Sequence, residues 1–190
     1  MFAVFGLGNP GTKYLMNRHN VGYMLIDKMV QDFRSSLRNL DCYTNFGQLK
    51  RISGEDFFIC KPMVFMNESG ISIKSFCSKY DIDQEHLIVV QDDLDLPLGD
   101  VRVKLGGGTG GHNGIRSITN SLQDSTFIRV KIGIDRPFDK DQVVEYVLSD
   151  FSKSEQKIVQ QALETAMFAV LDVVDYGFLK AANKYNQKKN

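Results

Sequence analysis

The sequence predicts a single α/β/α domain of three layers, 1–190, built on a twisted, mixed and mostly parallel sheet. Three observations predict it. A chain of 190 residues with 43% hydrophobic content can bury one core and is short for two domains of ordinary size. Apolar runs of strand length alternate with stretches of helical period. The first run, Phe2 to Leu7, is apolar at nearly every position, as a strand covered on both faces of a parallel sheet must be.

Taken in order, the first strand closes at Gly8, and Val21, Leu25, Met29 and Phe33 recur at helical spacing, which predicts a helix from Val21 to Leu37. Phe46 to Ile52 and Asp56 to Cys60 read as strands. The turn Met66-Asn67-Glu68-Ser69-Gly70 opens a second helix through Phe76. His86 to Val90 is an apolar strand whose carboxyl end carries the polar cluster Gln91-Asp92-Asp93-Leu94-Asp95. Val101 to Leu105 and Phe127 to Ile134 are strands flanking a helix from about Gly114 to Leu122. Ile158, Ala162, Met167, Val170 and Val174 mark a long amphipathic helix that ends at Gly177, as a helix with a terminal glycine does. The basic segment 180–190 is expected to be a mobile tail.

Charge excludes some functions. Lys plus Arg and Asp plus Glu number 23 each, so the chain as a whole is no electrostatic nucleic-acid binder, and any RNA contact must be a local patch. Cys42, Cys60 and Cys77 form no Cys-x-x-Cys pair and read as reduced, buried thiols. The start Met1-Phe2-Ala3-Val4-Phe5 lacks a basic lead and meets Gly6, so neither a signal peptide nor a membrane span is expected, and the location expected is cytoplasmic.

Two glycine motifs fail their structural context. Gly6-Leu7-Gly8-Asn9-Pro10-Gly11 has dinucleotide-binding spacing, yet Pro10 and the polar stretch from Thr12 to Asn20 separate it from its helix. Gly106 to Gly111 has P-loop spacing but is followed by His112-Asn113 instead of the required lysine and hydroxyl.

The remaining polar groups fall on loops that this fold gathers at one edge of the sheet: Asn9, His19, Asn67, Asp92 and Asn113. A histidine trades protons near neutral pH, and a carboxylate on one ring nitrogen would free the other to take a proton from water. Taken singly, His19 also fits a helix cap and Asp92 a solvated strand end; their combination with the asparagines favours a site. Side-chain amides match a peptide backbone without charge, and one could donate to an oxyanion, though each asparagine alone also suits a turn. Strand parity adds a further feature: Arg102 and Lys104 share one strand face, as do Arg129 and Lys131. On neighbouring strands these cations would form a basic patch suited to phosphate; the alternative is two ordinary half-exposed strands.

The chain carries Gly6-Leu7-Gly8-Asn9-Pro10-Gly11 with Tyr14 and Arg18-His19-Asn20-Val21-Gly22, then Lys61-Pro62, Phe65-Met66-Asn67 and Ser69-Gly70. Asp92-Asp93-Leu94-Asp95-Leu96-Pro97 follows, and then Gly106-Gly107-Gly108 with Gly110-Gly111-His112-Asn113-Gly114. Together, in order from Phe2 to at least Val147, these segments resemble the bacterial-type peptidyl-tRNA hydrolase family. The resemblance implies hydrolysis of the ester joining a peptide to the 3′ end of tRNA, which recycles tRNA from aborted translation. It implies a cytosolic monomer that uses no metal or other cofactor, with peptidyl-tRNA as its partner and no membrane association. His19 matches the catalytic base, Asp92 its supporting carboxylate, and Asn9 the residue that distinguishes N-blocked from free aminoacyl esters. Tyr14, Phe65, Asn67 and Asn113, with Met66 beside them, match a cleft for the peptide and the tRNA 3′ end. Lys104 and Lys131 match a clamp on the tRNA 5′-phosphate. Arginine is usual at the second clamp position, and Lys131 cannot offer its bidentate fork. Asn17 and Val64 stand where threonines are common, and Asp135 where glycine is. Two other readings remain: a non-catalytic RNA-binding relative, and a hydrolase with a metal held by Asp92, Asp93, Asp95 and His19 or His112.

Overall fold

The computed structural model describes residues 1–52 and 54–187. Its sheet has seven strands, β1 (Ala3–Gly6), β2 (Asn39–Asp41), β3 (Thr44–Leu49), β4 (Phe57–Pro62), β5 (Leu87–Asp93), β6 (Val101–Leu105) and β7 (Ile128–Gly133), in the order β2-β3-β4-β1-β5-β7-β6. The sheet is mixed: β4, β1, β5 and β7 run parallel at its centre, while β2, β3 and β6 pair antiparallel at its margins. Helices α1 (Val21–Asp32), α2 (Ser69–Tyr80), α3 (Asn113–Leu122), α4 (Val143–Val147), α5 (Lys153–Tyr176) and α6 (Phe178–Tyr185) complete the fold.

Alternation along the strands divides the core in two. Val4, Ile88 and Val130 point to one face and pack with Leu25 and Ile26 of α1 and Ala166 and Val170 of α5. Phe5 and Val89 point to the other, with Phe76 of α2 and Ile115 and Ile118 of α3. Each such side chain, fully withdrawn from water, contributes about 1.5–3 kcal/mol. The first turn of α1 lies directly on β1, because neither Gly6 nor Gly22 carries a side chain. A Cβ on Gly22 would stand 2.4 Å from Leu7 N, and one on Gly6 would stand 2.1 Å from Gly22 O.

Several boundaries differ from the sequence reading for local reasons. Helix α1 stops at Asp32, not Leu37: Arg34 takes φ 48° and the Ser35 N–H reaches Val30 O, a Schellman-type end built without glycine. Helix α2 continues past Phe76 until Asp81 adopts φ 54°. The β2–β3 hairpin was absent from the prediction because its turn residues, Cys42 and Tyr43, hold φ 51° and 55° without the usual Asn-Gly signal. Most of the expected tail is ordered instead. Helix α6 packs on β6, and the Asn186 amide accepts from Val103 N–H (2.9 Å) and donates to Val103 O (2.8 Å), closing the edge of the sheet. Residues 188–190 of that tail lie outside the described residues. Among the described residues no helix is long and apolar enough to cross a membrane.

Candidate active site

Adjacent parallel strands β1 and β5 send their outgoing connections in opposite directions across the sheet, β1 toward β2 and β5 toward β6. Such a switch point leaves a crevice at the strands' carboxyl ends. A cleft of about 550 Å³ opens there. Asn9, His19, Met66, Asn67, Asp92 and Asn113 all line it.

At its base lies a buried triad of side chains. His19 Nδ1 is 2.9 Å from both oxygens of Asp92, and His112 Nε2 is 3.0 Å from Asp92 Oδ1. Asp92 is 2% exposed, so these imidazoles are what offset the cost of its burial. Hydrogen bonding assigns the tautomers. His112 caps α3, its Nδ1 accepting from the Gly114 and Ile115 N–H groups (3.1 and 3.3 Å), so its proton sits on Nε2 and donates to Asp92. His19 likewise donates from Nδ1, which leaves Nε2 without a hydrogen-bond partner among the described residues.

The electrostatics follow from this packing. Burial disfavours the His19 imidazolium, but the charge and hydrogen bond of Asp92 outweigh it, so the pKa of His19 is raised above the usual 6.5. Burial also opposes ionisation of Asp92, yet the two neighbouring histidines hold its carboxyl well below the ordinary carboxylate range.

The loop after β1 is fixed by amides. Asn20, immediately before α1, accepts from Asn9 N–H (2.9 Å) and donates to Asn9 O (3.0 Å). Asn9 Oδ1 accepts from Met66 N–H (2.8 Å), joining the β1 loop to the turn before α2. Its Nδ2 therefore remains to donate, with no acceptor among the described residues. Asn113 Oδ1 accepts from Arg116 (2.7 Å).

The other expected site residues lie apart from the cleft wall. Tyr14 and Phe65 meet each other edge to face, ring centres 6.5 Å apart. Lys104 and Lys131 stand on β6 and β7, which are neighbours in register: Arg102 faces Lys131, and Lys104 faces Arg129. The four cations therefore share one strip, but three are engaged. Arg102 binds Asp100 and the Tyr185 carbonyl, Arg129 binds Gln91 and the Gly108 carbonyl, and Lys131 pairs with Asp93.

The sequence reading missed three contributors. His112 enters the sequence reading within the Gly-Gly-His-Asn segment and as a metal ligand, but not as a hydrogen-bond partner of Asp92. Asn20 was read only as part of the motif around His19. Val143, Val144, Val147 and Leu148 form an apolar wall of the cleft, but α4 is too short for periodicity to reveal it.

His19, Asp92 and His112 also present ligand-type atoms within 4.8 Å of one another, all buried. His19 Nδ1 and His112 Nε2 already donate to Asp92, and His112 Nδ1 accepts from the α3 amides, while Asp93 and Asp95 are drawn away by Lys131 and Arg136. The donor set suits proton transfer better than metal ligation.

The sequence profile described as peptidyl-tRNA hydrolase matches residues 3–190. A peptidyl-tRNA hydrolase of Persephonella marina is 41% identical over 187 residues, covering 98% of this chain and 97% of the relative. One of Bacillus subtilis is 38% identical over 188 residues, covering 99% of this chain and 100% of its own. The crystal structure of peptidyl-tRNA hydrolase from Acinetobacter baumannii superposes with a TM-score of 0.91 at 34% identity, over 100% of this chain and 96% of that one. Full-length matches to enzymes of one activity favour the catalytic reading over a non-catalytic RNA-binding relative. The chain belongs to the peptidyl-tRNA hydrolase family.

Proposed function

We propose that His19, oriented by Asp92, is the general base that activates water against the ester between a peptide and the 3′ end of tRNA. One observation carries this reading: a buried imidazole bonded through Nδ1 to a carboxylate, with Nε2 free at a cleft. His19 Nε2 takes a proton as the water oxygen bonds to the ester carbonyl carbon. Asp92 stabilises the imidazolium so formed. The Asn9 Nδ2 group donates to the carbonyl oxygen as it gains charge, a contact worth about 10²–10³-fold. The proton then passes from Nε2 to the ribose oxygen as the ester C–O bond breaks, leaving a 3′-hydroxyl and a peptide carboxylic acid that loses its proton to solvent. Asn67 and Asn113 pair with the peptide backbone, Met66 packs beside them, Tyr14 and Phe65 stack against the 3′ end, and Lys104 and Lys131 hold the 5′-phosphate. The enzyme works as a cytosolic monomer without a metal.

The test is hydrolysis of N-acetylaminoacyl-tRNA against free aminoacyl-tRNA, with and without exhaustive chelation. The reading expects cleavage of the N-blocked ester, sparing of the free one, and no effect of chelator. Loss of activity on chelation would favour the metal-dependent reading.

A further inference from the structure

We propose that Asp93 is the resident counter-anion of the cation strip, held on Lys131 where an RNA terminal phosphate would bind, so that it weakens phosphate binding and speeds release of the product. This rests on the reading of the strip as a phosphate site.

The geometry gives Asp93 two tasks. Oδ1 accepts from Asp95 N–H (2.8 Å), which fixes the carboxylate at the end of β5, and Oδ2 pairs with Lys131. Both partners are largely withdrawn from water, at 10% and 18% side-chain exposure, so the pair is little weakened by salt. The charge of Asp93 also acts on Arg129, partly offsetting the penalty that burial places on that guanidinium. Lys104 alone of the four cations is exposed without an ion-pair partner among the described residues, its chain lying so close to Gly107 that a Cβ there would stand 2.8 Å from Nζ. Lys104, Arg129 and Lys131, less Asp93, leave two net positive charges. That matches a terminal phosphate monoester, which carries about −1.5 to −2 at neutral pH.

The reaction gives a reason for such restraint. A 5′-phosphate is unchanged by cleavage at the 3′ end, so whatever affinity it supplies is shared by substrate and product. Uniform binding of this kind lowers KM without raising kcat, and it retards departure of the product. A carboxylate that must yield Lys131 to the phosphate limits that affinity.

The test is equilibrium binding of deacylated tRNA, carrying either a 5′-phosphate or a 5′-hydroxyl, to the wild type, Asp93→Asn, Lys131→Gln and the double variant. Asn keeps the acceptor for Asp95 N–H and removes the charge; Asp93→Ser serves if Asp93→Asn folds poorly. Asp93→Asn should bind the 5′-phosphorylated tRNA about fivefold tighter, the scale of one charged contact near a surface, with a smaller gain for the 5′-hydroxyl form. Its salt dependence should steepen by about one unit in log–log slope, and Lys131→Gln should abolish the gain. With 5′-phosphorylated substrate, Asp93→Asn should show a lowered KM. If the wild type prefers the 5′-phosphate but Asp93→Asn gains nothing, or gains equally without Lys131, the inference is overturned and the phosphate reading stands. If neither protein distinguishes the two tRNAs, both fall, leaving the ester-hydrolase reading untouched.

Discussion

Asp92 accepts hydrogen bonds from two imidazoles, yet only His19 has a nitrogen left for chemistry, because His112 spends its second nitrogen on the amides of α3. The pH dependence follows from that asymmetry. Protonated His19 cannot act as a base, so kcat/KM should fall with acid through a pKa above 6.5, as its raised value requires. In Asp92→Asn the charge that raises it is gone while burial remains, so NMR titration should find the His19 pKa below 6.5; a value still above it would assign the shift to another group. The raised pKa also stabilises the fold below about pH 6.5 and is lost as pH rises through the folded value, so Asp92→Asn should flatten that limb of the stability profile. His112→Ala removes one donor from Asp92, whose charge would then act more fully on His19. Its pH–rate profile should move toward higher pH, which a purely structural role for His112 would not require. The sequence already suggested Asp92 as the partner of His19, but the contact itself needed the fold, since 73 residues separate them.

At the scale of elements, the site depends on how α1 and α5 are tied to the strand ends. Gly22→Ala would force a Cβ against the Leu7 backbone, which cannot move without displacing β1. It should destabilise the protein by about 3 kcal/mol in denaturant titration; a loss under 1 kcal/mol would show that the approach can relax. A second tie is Arg18, beside His19, which binds Glu155 of α5 through two 2.9 Å contacts and lies 4.4 Å from the centre of the Tyr146 ring. The hydrogen bonds from Arg18, against the opposing effect of burial, hold the Glu155 carboxyl down to about 2. Arg18→Ala should cost about 2 kcal/mol and lower activity through loosening of the loop, both measurable on purified protein. Elements with a clear period were legible: β6 fills the range read for it, and α5 ends at Gly177 as expected. Elements set by left-handed non-glycine residues or by docking were not, as the β2–β3 turn and α6 show. Asp135 holds φ 60° with its carboxylate on Leu98 N–H, a side-chain contact in place of the glycine common there.

For the whole molecule, a net charge of zero means that RNA affinity must come from a local patch and not from a general field, and the cation strip is the patch proposed for it. Lys104→Ala should therefore weaken tRNA binding most at low salt and reduce the log–log salt slope by about 0.7–0.9. An unchanged slope would remove Lys104 from the interface. Strand parity exposed the strip in the sequence, but not which cations were already engaged, because Asp93, Gln91 and the Tyr185 carbonyl reach them only in the folded chain. The cleft was legible as a set of loop residues, while its apolar wall from α4 was not. The role proposed for His19 as the base is tested most directly by single-turnover cleavage of N-acetylaminoacyl-tRNA by His19→Ala. With folding intact by circular dichroism, the rate should fall about 10²–10⁴-fold; a rate equal to that of the wild type would contradict the account.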